Sequence, residues 1–153
     1  MGKQVQPGEM NAVTDYSALI DGAGINVCKL LLDDELTILW ANDNFYISSG
    51  FGKDEYQTLF HHIKAYYTGH GDEFAKIKNA FYDVLQKGER RVKVGCRRPL
   101  KDNTCAWINI DGIITGEIVD SKPVALAVYS DISDLTRLKA ERDQLLEEKT
   151  RYF

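Results

Sequence analysis

The side chains best suited to chemistry in this 153-residue chain are three histidines and three cysteines. Their spacing argues against most of what such residues can do. His61 and His62 are adjacent, so on a helical turn their rings point in different directions, and His70 lies between Gly69 and Gly71 in a stretch expected to be solvated loop. Neither axial haem ligation nor a metal site is expected from them. Cys28, Cys96 and Cys105 are odd in number and lack Cys-x-x-Cys spacing, which leaves a disulfide framework or zinc site without support and predicts free, buried thiols. The chain has no Gly-x-Ser-x-Gly elbow, no phosphate-binding glycine loop ending in Lys-Ser or Lys-Thr, and no His-Glu-x-x-His pair, so no catalytic residue is assigned.

Charge and composition narrow the class further. The formal net charge is −4 and basic residues pair only at Arg90-Arg91 and Arg97-Arg98, so no nucleic-acid partner is expected. No apolar run approaches the ~18 residues of a membrane span and the N-terminus is polar, which predicts no membrane insertion and a cytoplasmic location. With 44% hydrophobic and 10% aromatic residues, the chain can bury one core and hardly two.

The elements that must position any site follow from periodicity. Residues 1–9 carry none and are expected to be a flexible N-terminus. In residues 10–23, Met10, Val13, Tyr16 and Ile20, with Leu19 beside them, follow helical spacing until Asp21-Gly22-Ala23-Gly24 stops the helix. Two β-rich runs at about 26–33 and 36–42 flank the acidic turn Asp33-Asp34-Glu35 and predict a hairpin. Asn42-Asp43-Asn44 opens a short helix, because the Asn42 amide oxygen can accept from free backbone N–H groups of the first turn. Lys53 to Tyr56 opens a second, and Phe60 to Tyr67 a helical turn. Phe74, Ile77, Phe81 and Leu85 form the apolar stripe of a helix from about Asp72 to Lys87, closed by Gly88. Val92, Val94 and Cys96 then alternate with Arg91, Lys93, Gly95 and Arg97. After a turn at 101–104, Ala106, Ile108 and Ile110 alternate with Cys105, Trp107, Asn109 and Asp111. Residues 116–122 are expected as a hairpin loop, and Pro123 to Ser130, apolar nearly throughout, as a central strand. The result is an α+β fold: a five-stranded antiparallel sheet with helices on one face.

Two groups of residues resemble a known family. Trp40-Ala41-Asn42-Asp43-Asn44-Phe45 followed by Ser49-Gly50-Phe51-Gly52-Lys53-Asp54-Glu55-Tyr56 resembles the first half of a PAS domain. The basic strand, the Asp102-Asn103 turn, Trp107 and the closing Asp131-Ile132-Ser133, where that family often has Asp-Ile-Thr, resemble the second half. The likeness covers about residues 24–134 and makes residues 24–133 a PAS-like sensory domain, with Asn42, Gly50 and Asp131 as its structural motif residues. It implies a cavity between the sheet and the middle helices, and Trp40, Phe45, Tyr46, Phe51, His62, Tyr66, Phe81 and Asn109 as ligand-binding candidates. The cofactor is not specified; a small apolar or weakly polar ligand fits such walls. A covalent flavin is not expected, because PAS-like light sensors carry the reactive cysteine in an Asn-Cys-Arg context on a helix, whereas these cysteines fall on strands.

Gly69-His70-Gly71-Asp72-Glu73-Phe74 is similar to the signature of diguanylate cyclases, with Asp34-Glu35-Leu36-Thr37 similar to another of their motifs. That signature lies on a hairpin turn, whereas here Phe74 begins an amphipathic helix and no carboxylate set for two metal ions accompanies it. The cyclase reading stays a remote alternative.

Residues 134–153 change character. Leu135, Leu138, Arg142, Leu145, Lys149 and Tyr152 are spaced 3, 4, 3, 4, 3, a coiled-coil seam with polar breaks. This helix is expected to carry a signal to an output domain absent from this fragment. With the N-terminal helix it is expected to form a homodimer. The rival expectation is a ligand-free interaction domain that pairs subunits through the sheet's outer face, at Trp107, Arg91 and Lys93, and through the N-terminal helix.

Overall fold

The computed structural model describes Gly22 and residues 24–152. The helix expected over residues 10–23 and the flexible end before it lie outside the described residues. Strand β1 (Asn26–Leu31) turns at Asp33 into β2 (Thr37–Ala41). The Asp33 carboxylate shapes this turn by accepting from the backbone N–H of Glu35 and Thr37 and from the Thr37 hydroxyl, the last at 2.6 Å. Three short helices follow, α1 (Asp43–Ile47), α2 (Lys53–Leu59) and α3 (Ile63–Tyr66), and then the long α4 (Gly71–Gln86). Strands β3 (Arg91–Pro99), β4 (Cys105–Val119) and β5 (Lys122–Asp131) lead into α5 (Ser133–Tyr152).

The five strands form one sheet in the order β2-β1-β5-β4-β3, with every pair antiparallel. β5 is central, as its continuous apolar run implies. Strict two-residue alternation sends Cys28, Leu30, Val92, Cys96, Ile108, Ile110, Ala127 and Tyr129 to the buried face. That face is covered by the helices, α4 contributing Phe74, Ile77 and Phe81. Gly112 of β4 admits Phe81: a Cβ there would stand 2.9 Å from the ring.

The expected hairpin loop at 116–122 is shorter than the sequence suggested. β4 runs on to Val119 across an irregularity between Ile114 and Ile118, and only Asp120 and Ser121 turn, at φ 48° and 64°. Positive φ at both central residues is the two-residue turn whose twist matches the strands, and it draws the neighbouring residues into the ladder. At the β3–β4 hairpin the positive φ falls on Asn103, at 68°.

Asn42 joins the hairpin to the helices. Its Oδ1 accepts from the backbone N–H of Val27 at 2.9 Å and of Phe45 at 3.2 Å, and its Nδ2 donates to the Ile25 carbonyl at 2.7 Å. One buried amide thus caps α1 and ties it to β1. Gly50 ends the following turn at φ 86°, with the Lys101 Cβ 3.1 Å from where its own would be.

Asn42→Ala strands these groups and is expected to cost about 2–3 kcal/mol in urea unfolding; a loss below about 0.5 kcal/mol, the range of an ordinary surface substitution, would sink the clamp. Glu73, at the start of α4, accepts from the Arg97 backbone N–H at 2.8 Å and from Lys76 at 3.2 Å. Burial pushes its carboxyl up, but these bonds and the two cations hold it below its ordinary 4.5. A lowered folded pKa gives stability that is present above pH 4.5 and lost as pH falls through the folded value. Glu73→Gln is therefore expected to flatten the acid limb of a stability-against-pH curve; an unchanged limb would contradict the assignment.

Candidate functional site

Between the sheet and the short helices, the site is built mostly of aromatic rings. Phe45 lies edge-on to Tyr46, Tyr56 and Tyr129 with centroids 5.2–5.8 Å apart. Tyr56 stacks on Tyr66 at 5.2 Å, and Phe51, Phe60 and Tyr67 extend the cluster through Tyr66. Edge-to-face pairs gain from ring quadrupoles beyond their buried area.

At the centre of these rings sits a charge. Arg98 is only 3% exposed. Its Nη1 donates to Ser48 Oγ at 2.8 Å and its Nη2 to the Phe45 carbonyl at 2.9 Å. The guanidinium lies 4.8 Å from the Phe45 ring centroid and 5.5 Å from those of Tyr66 and Tyr129. Among the described residues no carboxylate pairs with it. Ring faces and neutral oxygens are its whole visible compensation, a costly way to bury a cation.

The groups around Arg98 stay neutral. Burial pushes the hydroxyls of Tyr56, Tyr66, Tyr67 and Tyr129 up, outweighing the pull of the Arg98 charge. Burial likewise pushes the Cys28 thiol to about 12 and the Cys96 thiol to about 11. The Tyr66 hydroxyl donates to the Pro99 carbonyl. Those of Tyr67 and Tyr129 are buried without a full hydrogen bond. Thiols lie beside them, Cys96 at Tyr67 and Cys28 at Tyr129, and sulfur is a weak acceptor.

The structure gathers Phe45, Tyr46, Phe51 and Tyr66 in one cluster, but it separates the other candidates. Trp40 pairs with Lys29, itself opposite Leu126, on the outer face, and is 48% exposed. It lines, with Tyr46, Lys53, Gln57 and His61, an open groove of about 500 Å³ beside β2. Asn109 also faces outward, bonded to Asp111 at 2.9 Å, because it shares the parity of Trp107 rather than of Ile108 and Ile110. Phe81 is fully buried against Gly112, packed under α4. His62 caps α3 by accepting from Ala65, its Nε2 3.3 Å from Glu35. Arg98, Tyr129 and Cys28 were missed. Parity could have found Arg98, since Val92, Val94 and Cys96 point inward and 98 continues the series.

Elsewhere the chemistry is sparse. Residues 71–74 form the first turn of α4, where a cyclase signature would need a hairpin. No cluster of three or more potential metal-ligating side chains is found among the described residues. No described helix is long and apolar enough to cross a membrane.

Neither a family model nor a curated protein matches the sequence. Solved structures do. A sensory box histidine kinase/response regulator from Burkholderia thailandensis superposes with a TM-score of 0.64 at 16% identity, over 90% of this chain and 98% of that one. The PAS domain of an HTR-like protein from Haloarcula marismortui gives 0.57 at 15% identity, over 80% and 93%. An RNA-binding light-oxygen-voltage receptor gives 0.63 at 13% identity, over 99% of this chain but only 42% of the receptor. The fold is that of a PAS domain. At such identities the likeness carries the PAS architecture alone, and the side chains must speak for the rest.

The PAS core makes the thiols unequal. Cys105 is exposed, whereas Cys28 and Cys96 are buried with raised pKa values. A thiol-reactive disulfide reagent at pH 8 is expected to titrate one thiol of the native protein rapidly and the other two only on unfolding; three fast thiols would show that the core is open.

Proposed function

We propose that this chain is a non-catalytic sensory and dimerisation module, in which small-ligand binding or partner contact at the PAS-like domain changes the setting of α5. The observation that carries the reading is the joint between sheet and helix. The Ile132 N–H donates to the Trp107 carbonyl at 2.8 Å, and Ser133 Oγ accepts from the Trp107 N–H at 3.0 Å. The Asp131 carboxylate accepts from the Ser133 N–H at 2.8 Å, at the first residue of α5. The Ser133 hydroxyl holds the helix start to β4, and the Asp131 carboxylate receives the helix end. A shift of β4 relative to β5 would therefore be passed to α5.

Along α5, Leu135, Leu138 and Leu145 are 54–66% exposed, with Arg142 between them on the seam. Exposed leucines at heptad spacing suit a second helix. The module would work by population shift, a ligand moving the equilibrium by no more than its difference in affinity for two sheet-helix arrangements. In this reading the output domain, the homodimer and a cytoplasmic setting belong to the larger signalling protein.

A second reading, a ligand-free pairing domain, is favoured by the outer face, where Trp107, Ile113 and Leu126 are 37–42% exposed beside Arg91 and Lys93. Native mass spectrometry of freshly purified protein separates the two. A dimer retaining a small molecule supports sensing, a bare dimer supports pairing, and a bare monomer overturns both. Leu138→Glu is expected to weaken the dimer at least about tenfold by sedimentation equilibrium; an unchanged constant would remove α5 from the interface.

A further inference from the structure

A buried cation normally meets an anion, because removing a guanidinium from water costs more than ring faces and neutral oxygens return. Arg98 is buried, and among the described residues no carboxylate pairs with it. The thiols and tyrosines around it are held neutral by burial and supply no negative charge. A second, independent observation lies beside it. The hydroxyls of Tyr67 and Tyr129 are buried without a full hydrogen bond, with only the weakly accepting thiols of Cys96 and Cys28 beside them. The Tyr67 ring packs against Tyr66 at 5.5 Å, and the Tyr66 ring centroid lies 5.5 Å from the guanidinium, so Tyr67 borders the same region of the core. The Tyr129 ring is itself 5.5 Å from the guanidinium.

The kind of ligand follows from these donors. A guanidinium presents five hydrogens in a planar fork that matches two oxygens on one carbon, and each tyrosine adds one O–H. The surrounding rings of Phe45, Tyr56 and Tyr66 offer apolar walls and no further charge. This favours a single-charged carboxylate with a short apolar body, whose charge matches the one cation, over a phosphate group carrying about two negative charges. Solvent also comes near. Ser48, which accepts from Arg98, lines an open groove of about 330 Å³ with Ile47, Leu100 and Lys101.

We propose that Arg98, with the hydroxyls of Tyr129 and Tyr67, binds a small organic carboxylate in the core of the sensory domain, admitted past Ser48. This rests on the sensory reading above and names its ligand class. Binding would replace Ser48 or the Phe45 carbonyl as an acceptor for the guanidinium. Because Phe45 belongs to α1 and Arg98 to β3, occupancy would alter the tie between helix and sheet.

The test is a titration of the ¹⁵N-labelled chain with acetate, butyrate and benzoate, with sodium chloride at matched ionic strength as reference. At least one carboxylate is expected to move the Arg98 Nε–H resonance saturably and raise the melting temperature, and chloride to do neither. Arg98→Met is expected to remove the melting-temperature response. Tyr129→Phe, which gives up only a weak contact with the Cys28 thiol, is expected to keep the fold and weaken binding about tenfold. If Arg98→Met does not fold, Tyr129→Phe carries the comparison. No saturable shift with any of the three carboxylates overturns the proposal, as does equal affinity in Tyr129→Phe or an equal response in Arg98→Met. Such a result leaves the sensory reading standing on its own tests, since the dimer and α5 measurements need no carboxylate.

Discussion

Burial of a single face of one antiparallel sheet is the constraint on which the rest of this molecule depends. An antiparallel ladder fixes a period of two, so each strand commits alternate residues to the helices and the others to the outside. With β5 central, Ala125, Ala127 and Tyr129 form the midline of the covered face, and β1 and β4 supply Cys28 and Ile110 beside it. The short helices cannot stand alone, being too brief to pay for their own nucleation. They persist because their aromatic side chains close over that face and because Asn42 fastens the first of them to β1.

The same parity that builds the core also carries a charge into it. Arg98 lies at an inward position of an edge strand, and the fold accommodates it by curling Phe45, Tyr66 and Tyr129 around the guanidinium. A wholly apolar residue would pack there at lower cost, so stability alone gives little reason for an arginine. The charge makes sense as a specifying group, whether for the arrangement of α1 against β3 or for an anion entering between them.

The sheet also links that core to the exterior. β4 and β5 pair from Ile108 opposite Asp131 to Val119 opposite Lys122, and α5 hangs from their end by Trp107 and Ser133. The start of α5 is hydrogen-bonded to these strands rather than tethered by a loose linker. The geometry thus places the covered face and the start of α5 on one continuous ladder.

The sequence by itself determined the α+β class, the five strands, the central place of Pro123 to Ser130, the long helix under Phe74, Ile77 and Phe81, and the cap at Asn42. Each rests on local periodicity or on a single side chain bonding nearby backbone, and both are written in neighbouring residues. It placed Trp40 and Asn109 in the pocket, yet register turned both outward, since a strand's facing is settled by its partners. It also read residues 116–122 as loop where two positive-φ residues suffice. Tertiary structure alone decided that Arg98 would meet residues 45, 48, 66 and 129 in one cage. Those contacts span more than thirty positions of chain, and only the closing of helices over the sheet brings them together.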